Sequence, residues 1–171
     1  MSTSPPPLTK EGTPLGTTHV LPRTHPTFGA RQPLLRRRTR LDEPGAGSQY
    51  AYAEHDADSN YLEGRKNYKL HLPPNIPVNR FWSFLVYDSQ TRSMFQTDQQ
   101  FPSIGSQRKG IVINLDRSVD VYFGLKPPPG KESTWVQTVP GKAWWLMLRL
   151  YGPLEPWFDK PWRPSEIELV K

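Results

Sequence analysis

Apolar and polar positions alternate over short stretches of this chain, and turn-forming residues separate the stretches. Asn67-Tyr68-Lys69-Leu70-His71-Leu72 puts Tyr68, Leu70 and Leu72 on one face and Lys69 and His71 on the other. That period of two predicts a half-buried strand, which Pro73-Pro74 stops. Phe81-Trp82-Ser83-Phe84-Leu85-Val86-Tyr87 is apolar on both faces and rich in β-forming residues, so it predicts a central strand. Residues 111–115 and 119–123 flank Asp116-Arg117-Ser118 as the arms of a hairpin. Residues 135–139 and 143–151 surround Pro140-Gly141, the strongest tight-turn signal in the chain. Residues 154–159 predict one helical turn, and 166–170 an alternating edge strand. Short strands at this spacing point to an all-β, antiparallel β-sandwich, jelly-roll-like, with one or two short helical turns.

Composition divides the chain in two. Of the 20 prolines among 171 residues, eight fall in residues 1–44, which contain no Trp and a single aromatic, Phe28. The formal charge of +6 is likewise uneven, with +4 carried by residues 1–44. Such a segment buries too little apolar area to offset its ordering entropy, about 1–2 kcal/mol per residue. Residues 1–46 therefore read as a disordered Pro/Arg-rich tail, and 47–171, with all six tryptophans, as one domain. The absence of Cys excludes disulfides, thiolate catalysis and Cys-ligated zinc or iron–sulfur centres. No apolar run approaches the roughly 20 residues of a membrane helix. The Met1–Pro7 start lacks a signal peptide's charged and apolar regions, which by default implies a cytoplasmic chain.

Several longer motifs stand in order along the second part. They are Asn67–Pro77 followed by Phe81-Trp82-Ser83 and Tyr87-Asp88, then Thr91-Arg92-Ser93-Met94, Gln96-Thr97-Asp98-Gln99 and Val119–Gly124. Trp135-Val136-Gln137-Thr138-Val139-Pro140-Gly141-Lys142 and Arg149-Leu150-Tyr151-Gly152-Pro153-Leu154-Glu155-Pro156 complete the set. Together they resemble the bacterial family known as domain of unknown function 1214, over about residues 47–171. The resemblance implies a jelly-roll-like β domain, usually the C-terminal part of a two-domain protein whose other member is domain of unknown function 1254. It also implies frequent export. Only about 46 residues precede the matching region, so the resemblance further implies a truncated remnant of that two-domain plan.

Candidate chemistry centres on one polar segment, Tyr87-Asp88-Ser89-Gln90-Thr91-Arg92-Ser93, continuing to Gln96-Thr97-Asp98-Gln99-Gln100. Carboxylates, amides and a guanidinium this close in sequence either bind a small polar ligand or satisfy one another around a turn. Arg149 lies in an otherwise apolar strand, sharing a face with Trp145, Met147 and Tyr151. It needs an ion-pair partner such as Asp88 or Asp98, or else anchors a ligand. Trp135 and Gln137, on one strand face, suit stacking on and orienting a ring. The ligand-binding candidates are thus Asp88, Arg92, Asp98, Trp135, Gln137 and Arg149.

Asp56-Ala57-Asp58-Ser59-Asn60 imitates a calcium loop, but the sixth position is Tyr61 rather than Gly and the twelfth is Asn67 rather than Glu. A turn is the better reading, so no metal and no cofactor is expected. Arg36-Arg37-Arg38-Thr39-Arg40 lacks the interleaved aromatics of a base-stacking surface, which argues against nucleic acid. The expectation is a non-catalytic β-sandwich module that binds a small polar or carbohydrate-like ligand, or docks a companion β domain or a second copy of itself. The alternative is a hydrolase in which Asp88, Arg92, Asp98 and Arg149 converge in the cleft between sheets.

Overall fold

The computed structural model describes residues 43–159 and 161–170. The expected leader lies outside them except for residues 43–46, where the Gly45 N–H donates to the Pro153 carbonyl at 2.7 Å. Eight strands follow: β1 (Ser48–Ala53), β2 (Asn67–Leu72), β3 (Val78–Asp88), β4 (Ser103–Gly105), β5 (Val119–Gly124), β6 (Trp135–Gln137), β7 (Trp144–Pro153) and β8 (Ile167–Val170). A 3-10 turn at Glu132–Thr134 precedes β6, and the helical turn α1 (Glu155–Phe158) follows β7.

The strands form two four-stranded sheets, ordered β1-β7-β3-β4 and β6-β5-β2-β8. All pairs are antiparallel except β5 with β6. The predicted faces are the buried ones. Tyr68, Leu70 and Leu72 of β2 are fully enclosed, as are Trp144, Leu146, Leu148 and Leu150 of β7 and Phe84 and Val86 of β3. Aromatic rings tie the two sheets together: Tyr68 meets Trp144 edge-on at 5.6 Å, and Phe84 meets Phe123 edge-on at 6.4 Å. The chain adopts the all-β sandwich that its alternation predicts.

Two local expectations change. Residues 111–115 form no strand, and Ile113 and Leu115 lie exposed. Both edges of β5 are already occupied, by β2 and β6, so this segment has nothing to pair with. The tight turn itself forms, with the Arg117 N–H donating to the Asn114 carbonyl at 2.9 Å and the Asn114 N–H to the Ser118 carbonyl at 2.9 Å. The Pro140-Gly141 turn also forms, with Gly141 at φ 77°. It leads from β6 in one sheet to β7 in the other, so it is a crossover rather than a hairpin.

The outer face of the first sheet is unusually aromatic. Tyr50 and Tyr52 from β1, Phe81 and Tyr87 from β3, and Trp145 and Tyr151 from β7 lie there half-buried. Tyr87 stacks on Trp145 at 4.4 Å, and Phe81 on Tyr151 at 4.1 Å.

Candidate functional site

The polar segment leaves β3 at Asp88, whose alternation turns its side chain inward, and the residue is 2% exposed. Its Oδ1 accepts from the Gln90 N–H at 2.7 Å and the Thr91 N–H at 3.1 Å, while Oδ2 accepts from Lys142 Nζ at 2.5 Å. Lys142 and the Thr91 N–H hold this carboxyl below the usual carboxylate range, and the Gln90 N–H adds to the effect. Both oxygens are thus committed to the turn. Arg92, at φ 62°, points elsewhere, and its Nη1 donates to Glu54 Oε1 at 3.4 Å. Asp88 and Arg92 therefore cap and brace their own loop and do not pair with each other.

Asp98, Trp135 and Gln137 do come together, as a fastener. The Asp98 N–H donates to Gln137 Oε1 at 3.0 Å, and Gln137 Nε2 donates to Asp98 Oδ2 at 2.9 Å. Gln99 goes further: its Oε1 accepts from the Gln137 N–H at 2.8 Å, and its Nε2 donates to the Trp135 carbonyl at 3.2 Å. One side-chain amide thereby stands in for a peptide unit along the free edge of β6 and closes it. The Trp135 indole N–H donates to the Gly124 carbonyl at 3.0 Å, so that ring is anchored on the second sheet's outer face.

Arg149 meets neither aspartate. It lies half-buried on the outer face of the first sheet, its guanidinium carbon 5.4 Å from the Tyr50 ring centroid. It forms no ion pair among the described residues, and its Nε is shielded from solvent with no hydrogen-bond partner. The nearby Trp145 Nε1 is in the same condition. Asp88, Arg92, Asp98 and Arg149 occupy separate places, and the convergence that a hydrolase would need among them is not present.

A cleft of about 470 Å³ opens beside β4 instead. Ser83 and Gly105, paired across β3 and β4, help line it. A Cβ at residue 105 would sit 2.6 Å from the Trp82 carbonyl oxygen, so only glycine lets β4 approach this closely. Phe81 and Phe101 line the cleft as well, the latter 63% exposed. Gln100, Gln107 and Arg108 supply polar groups. The Gln100 and Gln107 amides make no hydrogen bond among the described residues. Arg108 donates from Nη1 to the Ser103 carbonyl at 3.4 Å and forms no ion pair among them.

None of the six candidate residues lines this cleft. Asp98, Trp135 and Gln137 reach it indirectly, by fixing Gln99, which does. Of the polar segment, only its far end, Gln99-Gln100, lines the cleft. Phe101, Gln107 and Arg108 were missed. A lone Phe between Gln100 and Pro102, in a stretch with no strand alternation, was the one available signal.

A second polar cluster lies on the outer face of the other sheet. His71 Nδ1 and Asp120 Oδ1 are 2.7 Å apart, and Asn114 Nδ2 donates to Asp120 Oδ2 at 3.3 Å. The Asp56 loop is a turn closed on itself: Asp56 Oδ1 accepts from the Asp58 N–H at 3.0 Å and the Asn60 N–H at 2.8 Å. Among the described residues no group of three or more His, Asp or Glu side chains is placed to hold a metal ion. Nor is any described helix long and apolar enough to cross a membrane.

Two packed, mostly antiparallel sheets with a polar cleft at one edge define a β-sandwich domain. The chain belongs to the family described as Protein of unknown function (DUF1214), whose model matches residues 47–155. No curated protein matches it. Among solved structures it is similar to the VPA0106 protein from Vibrio parahaemolyticus, at 23% identity and a TM-score of 0.62, over 72% of this chain and 31% of that one. It is also similar to an uncharacterised protein from Burkholderia cenocepacia, at 20% identity and a TM-score of 0.45, over 75% of this chain and 30% of that one. The chain thus spans about a third of the length of each of these two relatives.

Proposed function

We propose that this domain is a non-catalytic binding module that takes a small polar, carbohydrate-like ligand in the cleft beside β4. The observation that carries this reading is the pairing of an exposed aromatic, Phe101, with two uncommitted amides, Gln100 and Gln107, in one concavity. An amide offers both donors and an acceptor, which matches the hydroxyl groups of a sugar, while the ring covers a sugar's apolar face. The volume, about 470 Å³, falls in the range of small-molecule sites. Gln99, locked to β6, keeps this side of the cleft in place before any ligand arrives, which reduces the ordering cost of binding. Calorimetric titration with a panel of mono- and disaccharides tests the reading. At least one sugar should bind, and Phe101→Ala should weaken that binding about tenfold, the scale of one lost stacking contact. A flat panel would overturn it.

A second reading draws on the aromatic outer face of the first sheet, where Arg149 Nε and Trp145 Nε1 are shielded yet unpartnered. A companion β domain bringing acceptors to those two donors would satisfy them. Supplied in trans, such a domain should sediment with this chain, and Met147→Glu should abolish the complex while leaving the free chain folded. A complex indifferent to Met147→Glu would contradict docking on this face.

A further inference from the structure

The cleft beside β4 also carries information about charge. No Asp or Glu lines it, whereas Arg108 does. The Arg108 guanidinium holds a single hydrogen bond, to the Ser103 carbonyl, and no carboxylate lies within ion-pair distance among the described residues. Lys66, Lys69, Arg92 and Lys142 each face a carboxylate, while Arg65, Arg80, Lys109, Arg117, Lys126 and Lys131 form no ion pair among the described residues, so what distinguishes Arg108 is its place in the cleft. Arg149 leans over Tyr50 and does not line the cleft, and neither does Arg80 of β3, so Arg108 is the one charged side chain among the residues that line it. Arg108 is half-buried as a residue, and a guanidinium set in a concavity meets a lower effective dielectric than in open water, which strengthens its attraction for an anion. A planar guanidinium matches a carboxylate through two parallel hydrogen bonds, a fit that an ammonium cannot copy.

We infer that the cleft's ligand is an acidic sugar, a polyhydroxylated ring bearing a carboxylate, with Arg108 on the carboxylate, Gln100 and Gln107 on the hydroxyls, and Phe101 against the ring. This inference rests on the ligand-binding reading above and adds the ligand's charge. Each group then answers to a separate part of the molecule, which lets the parts be tested one at a time.

The test compares galacturonate, galactose and acetate by calorimetric titration of the full chain at low ionic strength. Galacturonate should bind about tenfold or more tightly than galactose, the difference expected for one charge-assisted bidentate contact. Acetate should bind more weakly than either. Arg108→Gln should abolish the preference for galacturonate over galactose, whereas Arg108→Lys, which keeps the charge without the planar fork, should retain part of it. Phe101→Ala, at an exposed position that does not endanger folding, should weaken both sugars alike. Equal affinity for the two sugars would overturn the acidic-sugar inference and leave the ligand-binding reading standing. Acetate binding as tightly as galacturonate would overturn it in favour of a simple anion site. If none of the three binds, both the inference and the reading beneath it fall.

Discussion

Asp88 illustrates how a residue with every chemical qualification becomes part of the scaffold. It ends a strand in the inward position, so its carboxylate meets the two N–H groups of its own turn and the Lys142 ammonium before any ligand could. Because those contacts hold its pKa below the ordinary value, the folded state binds fewer protons than the unfolded chain across that interval. The stabilisation is fully present above the unfolded carboxyl value, about 4, and is lost as pH falls through the lower folded value. Asp88→Asn should therefore cost about 1–3 kcal/mol at pH 7, by denaturant melts, and flatten the fall in stability as pH drops below about 5. An unchanged acid profile would show that Asp88 is not the group responsible. The sequence disclosed that Asp88, Arg92 and Asp98 were close along the chain. It could not disclose that the first faces inward, the second reaches Glu54 and the third pairs with Gln137, because loop spacing fixes no direction.

At the scale of elements, legibility followed hydrophobic contrast. β2 carries large apolar residues at alternate positions and β3 a nearly continuous apolar run, and both were readable. β1 buries Gln49, Ala51 and Ala53, which give almost no hydrophobic contrast against Ser48, Tyr50 and Tyr52, and it was not read. β4, only three residues long, lies below any periodicity test. Yet β4 lines the cleft together with β3, so the pattern showed only one of the two strands on which the binding proposal depends. The opposite error, a strand over residues 111–115, arose because composition says nothing about whether a neighbouring edge is free. The Gln99 fastener belongs to the same scale. Gln99→Ala removes two hydrogen bonds to β6 and should cost about 1–2 kcal/mol, with faster amide exchange at Gln137 and in residues 96–100. If exchange in that loop is unaffected, Gln99 does not hold it.

For the molecule as a whole, one internal face of each sheet makes the core, and the outer faces differ in character. The second sheet's is polar and largely self-satisfied, with His71, Asp120 and Asn114 joined to one another. The first sheet's is aromatic, with two shielded donors left over and a cleft at its β4 edge. Fold class, family and the principal strands were all readable from the alternation of residues and from the ordered motifs. The cleft was not, because it is assembled from β3, β4 and two loops that only the folded chain brings together. The aromatic face proposed for docking and the cleft proposed for a ligand are neighbours on one sheet, which makes the location of binding the central issue. A titration of the isotopically labelled chain with galacturonate, followed by backbone amide and arginine side-chain NMR shifts, addresses it directly. The account predicts changes concentrated at Ser83, Gln100, Phe101, Gly105, Gln107 and Arg108. Changes centred on Tyr50, Trp145 and Arg149, or on the Asp88 turn, would contradict it.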